Sequence, residues 1–98
     1  MVQPFDFTLS QAAAMIRSKE ISPVELLESL LARIQTLDPR LQAWETVDFE
    51  GALKEAQNVE NQIAKSKSNV AIRGVPIGLK DIFYTKGLPT RAGTKFWE

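Results

Sequence analysis

The sequence predicts an α/β chain, in which a run of amphipathic helices is followed by the first strand or strands of a sheet. Three observations carry that prediction. Capping residues stand ahead of apolar side chains spaced three and four apart through the first part of the chain. The apolar period then switches to two at Val75, Ile77 and Leu79. Gly74, Pro76, Gly78, Gly87 and Pro89 punctuate this second part, as turns and strand edges require.

The elements follow in order. Thr8 and Gln11 have capping-box spacing, and Leu9, Ala12, Ala13 and Ile16 follow at helical intervals, so a first helix is expected to stop near Lys19-Glu20. Ser22 is a second cap, Pro23 suits the first helical position, and Glu25 has the spacing to complete a box. Val24, Leu27, Leu31 and Ile34 form the stripe of this second helix, widened by Leu30 and Leu37. Asp38-Pro39 is expected to end it, because the residue before a proline avoids the helical region. Residues 41–47, around Trp44, read as a brief strand or an extended link. Asp48 can cap a third helix running to about Ser66, with a narrow face of Leu53, Ala56, Glu60 and Ile63 and a glycine, Gly51, in its first turn. A polar loop, Lys65-Ser66-Lys67-Ser68-Asn69, precedes the alternating run, and residues 82–85 could add a second short strand. The expected organisation is part of one domain across residues 1–98, helical over 1–66 and strand and loop over 70–98.

Composition narrows the function classes. The chain has 98 residues, with twelve basic and twelve acidic side chains, so it lacks the basic excess of a general nucleic-acid footprint. It contains no cysteine and no histidine, which excludes disulfides, Cys or His metal sites and any His-dependent triad within the chain. Neither a signal peptide nor a membrane-length apolar run is present. A cytoplasmic location is expected, with no metal, no organic cofactor and no direct contact with nucleic acid or membrane. The large apolar side chains Ile82, Phe83, Tyr84, Phe96 and Trp97 exceed what three helices could cover, so the chain is expected to be a truncated piece of a larger domain. Trp44, Phe83 and Trp97 are read as core packing before any role in lining an acyl pocket.

Lys80 closes the alternating run at Gly74-Val75-Pro76-Ile77-Gly78-Leu79-Lys80-Asp81. A cation delivered by a buried strand is costly unless it has a partner or a task. Taken alone, it would be a strand-end lysine reaching water. The longer stretch, from Ile72-Arg73 through Asp81 and then Gly87-Leu88-Pro89-Thr90-Arg91-Ala92-Gly93-Thr94, resembles the amidase signature family. That family runs through a segment like L-x-G-V-P-I-x-x-K-D, then G-x-x-T-x-x-G-S. The helical part is similar too, at Ser22-Pro23-Val24-Glu25 and Leu41-Gln42-Ala43-Trp44. Thr94 departs mildly from the pattern, where serine is frequent.

The resemblance implies a serine hydrolase that cleaves carboxamides with a Ser–cis-Ser–Lys triad on an α/β/α sandwich with a mixed central sheet. Lys80 matches the family's catalytic lysine. A lysine serves as a base only when neutral, and desolvation favours that form. Asp81, Thr90, Gly93 and Thr94 fall near this site as structural or supporting residues. For Asp81 the preferred reading is a carboxylate that hydrogen-bonds the following loop. The family's Gly/Ser-rich run, which carries both catalytic serines, has no counterpart here, and none of Ser10, Ser18, Ser22, Ser29, Ser66 or Ser68 matches the nucleophile. The isolated chain is therefore expected to be inactive.

The implied substrate is a small-molecule amide, with the remainder of the amidase domain as the first partner and a second copy of the chain as another. The family also includes glutamine-hydrolysing A subunits of glutamyl-tRNA(Gln) amidotransferases, for which the substrate is glutamine and the partners are the other subunits. A reading from a different class is a non-catalytic helical module that binds a partner through its apolar strand surface.

Overall fold

Thr8 opens the first helix as its spacing predicts. In the computed structural model, which describes residues 3–65, 73–83 and 85–92, the Thr8 hydroxyl accepts from the Gln11 N–H at 3.1 Å. The Gln11 side chain returns the bond to the Thr8 N–H at 2.9 Å. Helix α1 spans Leu9–Arg17. It ends where Lys19 turns left-handed at φ 64°, letting the Glu20 N–H reach back to the Met15 carbonyl at 2.9 Å. This is a Schellman-type closure made by a lysine where glycine is the usual choice.

Helix α2, Pro23–Leu41, starts on the Ser22 hydroxyl, which accepts from the Glu25 N–H at 3.0 Å. It does not stop at Asp38. The helix passes through Pro39, which sits within its last turn. Proline there removes one N–H donor, and the turn is closed by other means. Gln42 adopts φ 51° and its N–H bonds the Asp38 carbonyl at 2.7 Å. The Asp38 carboxylate accepts from the N–H groups of Ala43 and Trp44, at 2.7 and 3.1 Å. The link over residues 42–48 makes no strand: Gln42 is left-handed and Glu45 lies in a bend. Helix α3, Phe49–Lys65, begins on Asp48, whose carboxylate accepts from the Gly51 N–H at 3.1 Å. A Cβ at position 51 would run into that carboxylate, so the glycine leaves room for the cap.

The core sits where α1, the turn after it and α2 meet. Ala12, Ile16, Ile21 and Leu26 form its buried centre, with Phe7, Met15, Leu30, Ile63 and Val75 packed around them. Leu26, the most enclosed of these side chains at 2% exposure, was not part of the expected stripe. It lies beside Leu27 and one turn before Leu30, so the true apolar face of α2 is rotated toward α1. Leu9, expected on the buried face of α1, is exposed instead. Helix α3 packs on α2 without burying any residue fully, as its narrow stripe predicts. A 3₁₀ turn, Pro4–Asp6, also packs on α2. There the Phe5 N–H bonds the Ser29 hydroxyl at 3.2 Å, and the Arg33 guanidinium stands 4.7 Å over the Phe5 ring. No helix among the described residues is long and apolar enough to cross a membrane.

The predicted strands are not formed. Residues 75–80 adopt no regular secondary structure and join no ladder, and residues 81–83 are turn and bend. A strand exists only by pairing its N–H and C=O groups with a neighbour, and no described segment offers these residues an edge. Among the described residues the structure is therefore three helices and no sheet.

Candidate functional site

The segment carrying Lys80 is pinned to the helical body at its start. Gly74 has φ 87°, and a Cβ there would stand 2.8 Å from Cγ of Pro23 and 3.5 Å from Cδ1 of Ile16. Only glycine fits both the left-handed backbone and the close approach. Val75 then enters the edge of the core. Four positions after Gly74 the segment meets the link: a Cβ on Gly78 would lie 3.1 Å from the Trp44 ring, so the indole rests on glycine backbone. Trp44 is itself exposed, not in the core as expected.

Beyond Gly78 the chain closes a loop on Asp81. The Asp81 carboxylate accepts from the Arg91 N–H at 3.0 Å, and its carbonyl accepts from the Ala92 N–H at 2.9 Å. Asp81 thus bonds the loop that follows it through both its side chain and its backbone. Thr90 crosses the loop, donating its hydroxyl to the Phe83 carbonyl at 2.9 Å. The Phe83 N–H bonds the Lys80 carbonyl at 3.2 Å, and the Leu88 N–H bonds the Thr85 carbonyl at 3.1 Å. Gly93 and Thr94 lie outside the described residues, as do Tyr84, Phe96 and Trp97.

Lys80 is exposed. Its apolar neighbours are exposed with it: Ile77 at 74%, Leu79 at 55%, Ile82 at 53% and Phe83 at 56%. The expectation of a buried strand, with Phe83 in the core, is corrected accordingly. No ladder among the described residues gives these side chains a sheet face to pack in.

The described serines are engaged elsewhere or lie on helices. Ser22 caps α2, Ser29 accepts from Phe5, and the Ser18 hydroxyl donates to the Met15 carbonyl at 3.1 Å. Ser10 lies in the first turn of α1, and Ser66 and Ser68 fall outside the described residues. No described serine therefore pairs with Lys80 as nucleophile and base. No group of three or more acidic side chains among the described residues could hold a metal ion. An open groove between the 3₁₀ turn and α2, lined by Phe5, Glu28, Ser29 and Arg33 among others, shares no residue with the Lys80 segment.

One contact escaped the sequence reading. The Arg91 guanidinium pairs with the Glu45 carboxylate at 2.8 Å, joining the loop to the link between α2 and α3. The two residues are far apart in sequence, and neither stands in a charge pattern that would single it out. The Arg73 guanidinium, donating to the Gln62 side chain at 2.9 Å, ties the same segment to α3.

The amidase family model matches residues 25–98. The chain is 39% identical over 94 residues to the A subunit of the glutamyl-tRNA(Gln) amidotransferase of Geobacter sp. (strain M21), covering 96% of this chain and 19% of that protein. To the protein of the same name from Streptomyces coelicolor it is 41% identical over 91 residues, covering 93% of this chain and 18% of that one. To the provisionally named amidase AmiD of Mycobacterium tuberculosis (strain CDC 1551 / Oshkosh) it is 41% identical over 86 residues, covering 88% and 18%. The chain thus spans under a fifth of the length of these curated relatives. No solved structure matches it.

Proposed function

The chain belongs to the amidase family, and from that premise we propose that it forms the N-terminal part of an amidase-signature hydrolase in which Lys80 is the base. The intact enzyme converts a carboxamide and water into a carboxylate and ammonia. A serine Oγ attacks the amide carbon, and its proton passes through a second serine to neutral Lys80. The C–N bond then breaks, and the proton returns by the same path to the leaving nitrogen. Water enters by the reverse route and releases the acyl group from the serine. Backbone N–H groups of a glycine-rich loop hold the oxyanion. Both serines and that loop belong to the remainder of the domain, so the 98-residue chain alone is inactive.

The observation that carries this reading is the run Gly74-Val75-Pro76-Ile77-Gly78-Leu79-Lys80-Asp81, which lies within the matched residues. Its exposed apolar side chains and unladdered backbone fit a segment that completes a sheet of an α/β/α sandwich with other strands. Lys80 would then be desolvated by the same packing that forms the sheet.

The names of the relatives favour a second reading, in which the substrate is glutamine and the protein works beside other subunits of an amidotransferase. One experiment addresses both. Ammonia release is followed from glutamine and from a panel of simple carboxamides, using the protein that carries this segment together with the serine-bearing segment. Lys80→Ala is expected to lower turnover by about 10²–10⁴-fold, the range for loss of a general base. Turnover that survives the substitution removes Lys80 from the chemistry. Strict preference for glutamine, with other subunits co-purifying, selects the amidotransferase. Turnover of simple amides by the lone protein selects the amidase.

A further inference from the structure

We propose that Glu45 and Arg91 are positioning residues for Lys80, forming with Trp44 and Asp81 a clamp that fixes the lysine's backbone from both sides. The inference deepens the reading of Lys80 as a base and rests on it. On the N-terminal side, the Trp44 ring lies against the backbone of Gly78, two residues before the lysine. On the C-terminal side, Asp81 immediately follows the lysine and holds the backbone N–H groups of Arg91 and Ala92 through its carboxylate and carbonyl. The Arg91 side chain then reaches Glu45, the residue next to Trp44, at 2.8 Å. The two anchors thus close into one ring through the adjacent residues Trp44 and Glu45. The link that carries them is in turn fixed to the end of α2 by the Asp38 carboxylate, which accepts from Ala43 and Trp44.

The reason for such a ring is in the packing. Between Val75, which touches the core, and the end of the loop, the large apolar side chains are mostly exposed and supply little fixation. A general base must stand within hydrogen-bond reach of the proton it takes. A misplacement of about 1 Å can cost about 10²-fold in rate. An exposed ion pair adds little to global stability, about 0–1 kcal/mol. Removing it should therefore loosen the lysine without unfolding the protein.

The test has two readouts. In the 98-residue chain, two-dimensional amide NMR reports the Gly78 and Lys80 signals, with Trp44→Leu marking the ring-current shift of Gly78 that the indole produces. Glu45→Gln and Arg91→Gln are each expected to move Gly78 and Lys80 toward their Trp44→Leu positions. The charge-swapped pair, Glu45→Arg with Arg91→Glu, is expected to move them back. In the serine-bearing protein, the single changes should lower kcat about tenfold. KM and the denaturation midpoint should stay unchanged, and the swap should restore kcat. Unmoved Gly78 and Lys80 signals, or single variants with wild-type kcat, overturn the clamp. So does a kcat loss that follows the denaturation midpoint, or one that the swap fails to repair. Should the swap disturb folding, Arg91→Lys, which keeps the charge and so should retain most of kcat, takes its place. The parent reading fails separately, through a Lys80→Ala enzyme that remains active.

Discussion

In residues 4–65 each helix is started by a neighbouring side chain and shares one core, whereas residues 75–83 form neither a helix nor a ladder. The contrast lies in where the hydrogen bonds are made. A helix satisfies its interior N–H and C=O groups within one segment, and caps such as Thr8, Ser22 and Asp48 serve the ends. An extended segment satisfies nothing by itself. Residues 73–83 and 85–92 are therefore fastened at points: Gly74 on Pro23, Gly78 under Trp44, Arg73 on Gln62, Arg91 on Glu45, and Asp81 on its own loop. Between those points Ile77, Leu79, Ile82 and Phe83 remain exposed.

The largest effect that could break this contrast is a paired truncation. Leu26→Ala removes the most enclosed side chain of the core and is expected to destabilise the chain by about 2–5 kcal/mol. Ile77→Ala removes a side chain of the same size from the exposed run and should change stability by no more than about 0.5 kcal/mol. Urea unfolding followed by far-ultraviolet circular dichroism checks both. Equal losses would mean that Ile77 is enclosed in solution and that the two regions form one core.

That expectation also marks how far the sequence could be read. Caps and periodicity located the three α-helices among the described residues, because both signals are local. Pro39 misled, since proline in a last helical turn removes only one donor and the Asp38 carboxylate closes the turn beyond it. Leu26 was missed because the stripe was drawn through Val24 and Leu27, and only the position of α1 decides which neighbouring leucine lies innermost. The period-two alternation of Val75, Ile77 and Leu79 signals strand-forming residues, but a ladder also needs an edge that no local pattern can supply. At the site, the residue run singles out Lys80 only by resemblance, and turn chemistry leads to the expectation that Asp81 bonds the loop after it. The Glu45–Arg91 pair spans two distant segments and becomes visible only once the link and loop lie side by side.

A middle-sized effect sharpens the boundary between the regions. Gly74→Ala meets two obstacles, a φ of 87° and a Cβ only 2.8 Å from Pro23. Gly87→Ala meets only the first, with φ 82° and open space around it. The first change is expected to cost about 1–3 kcal/mol, and the second about 1 kcal/mol. The site of the response separates them further. Strain at Gly74 is relieved if the segment lifts from Pro23, so amide exchange should accelerate near Val75 and leave α2 protected. If Gly87→Ala loosens Val75 equally, the close approach to Pro23 does not hold the segment in place.

The smallest effect tests whether the helical region has any strain of its own. Lys19 closes α1 in the left-handed conformation at φ 64°, where a Cβ crowds the backbone. The Glu20–Met15 bond is what that conformation secures. Glycine reaches the same φ without the crowding but loses more freedom on folding, so the gain is a difference of two terms. Lys19→Gly is expected to raise stability by about 0.5–1 kcal/mol, since the crowding term of about 1–2 kcal/mol is the larger. For a domain of this size that corresponds to an increase of about 2–8 °C in the thermal midpoint. Lys19→Ala keeps the Cβ while removing the charge, and should leave the midpoint nearly unchanged. A rise in the alanine variant as large as in the glycine one would trace the strain to the lysine's charge or chain, and not to the backbone turn that ends α1.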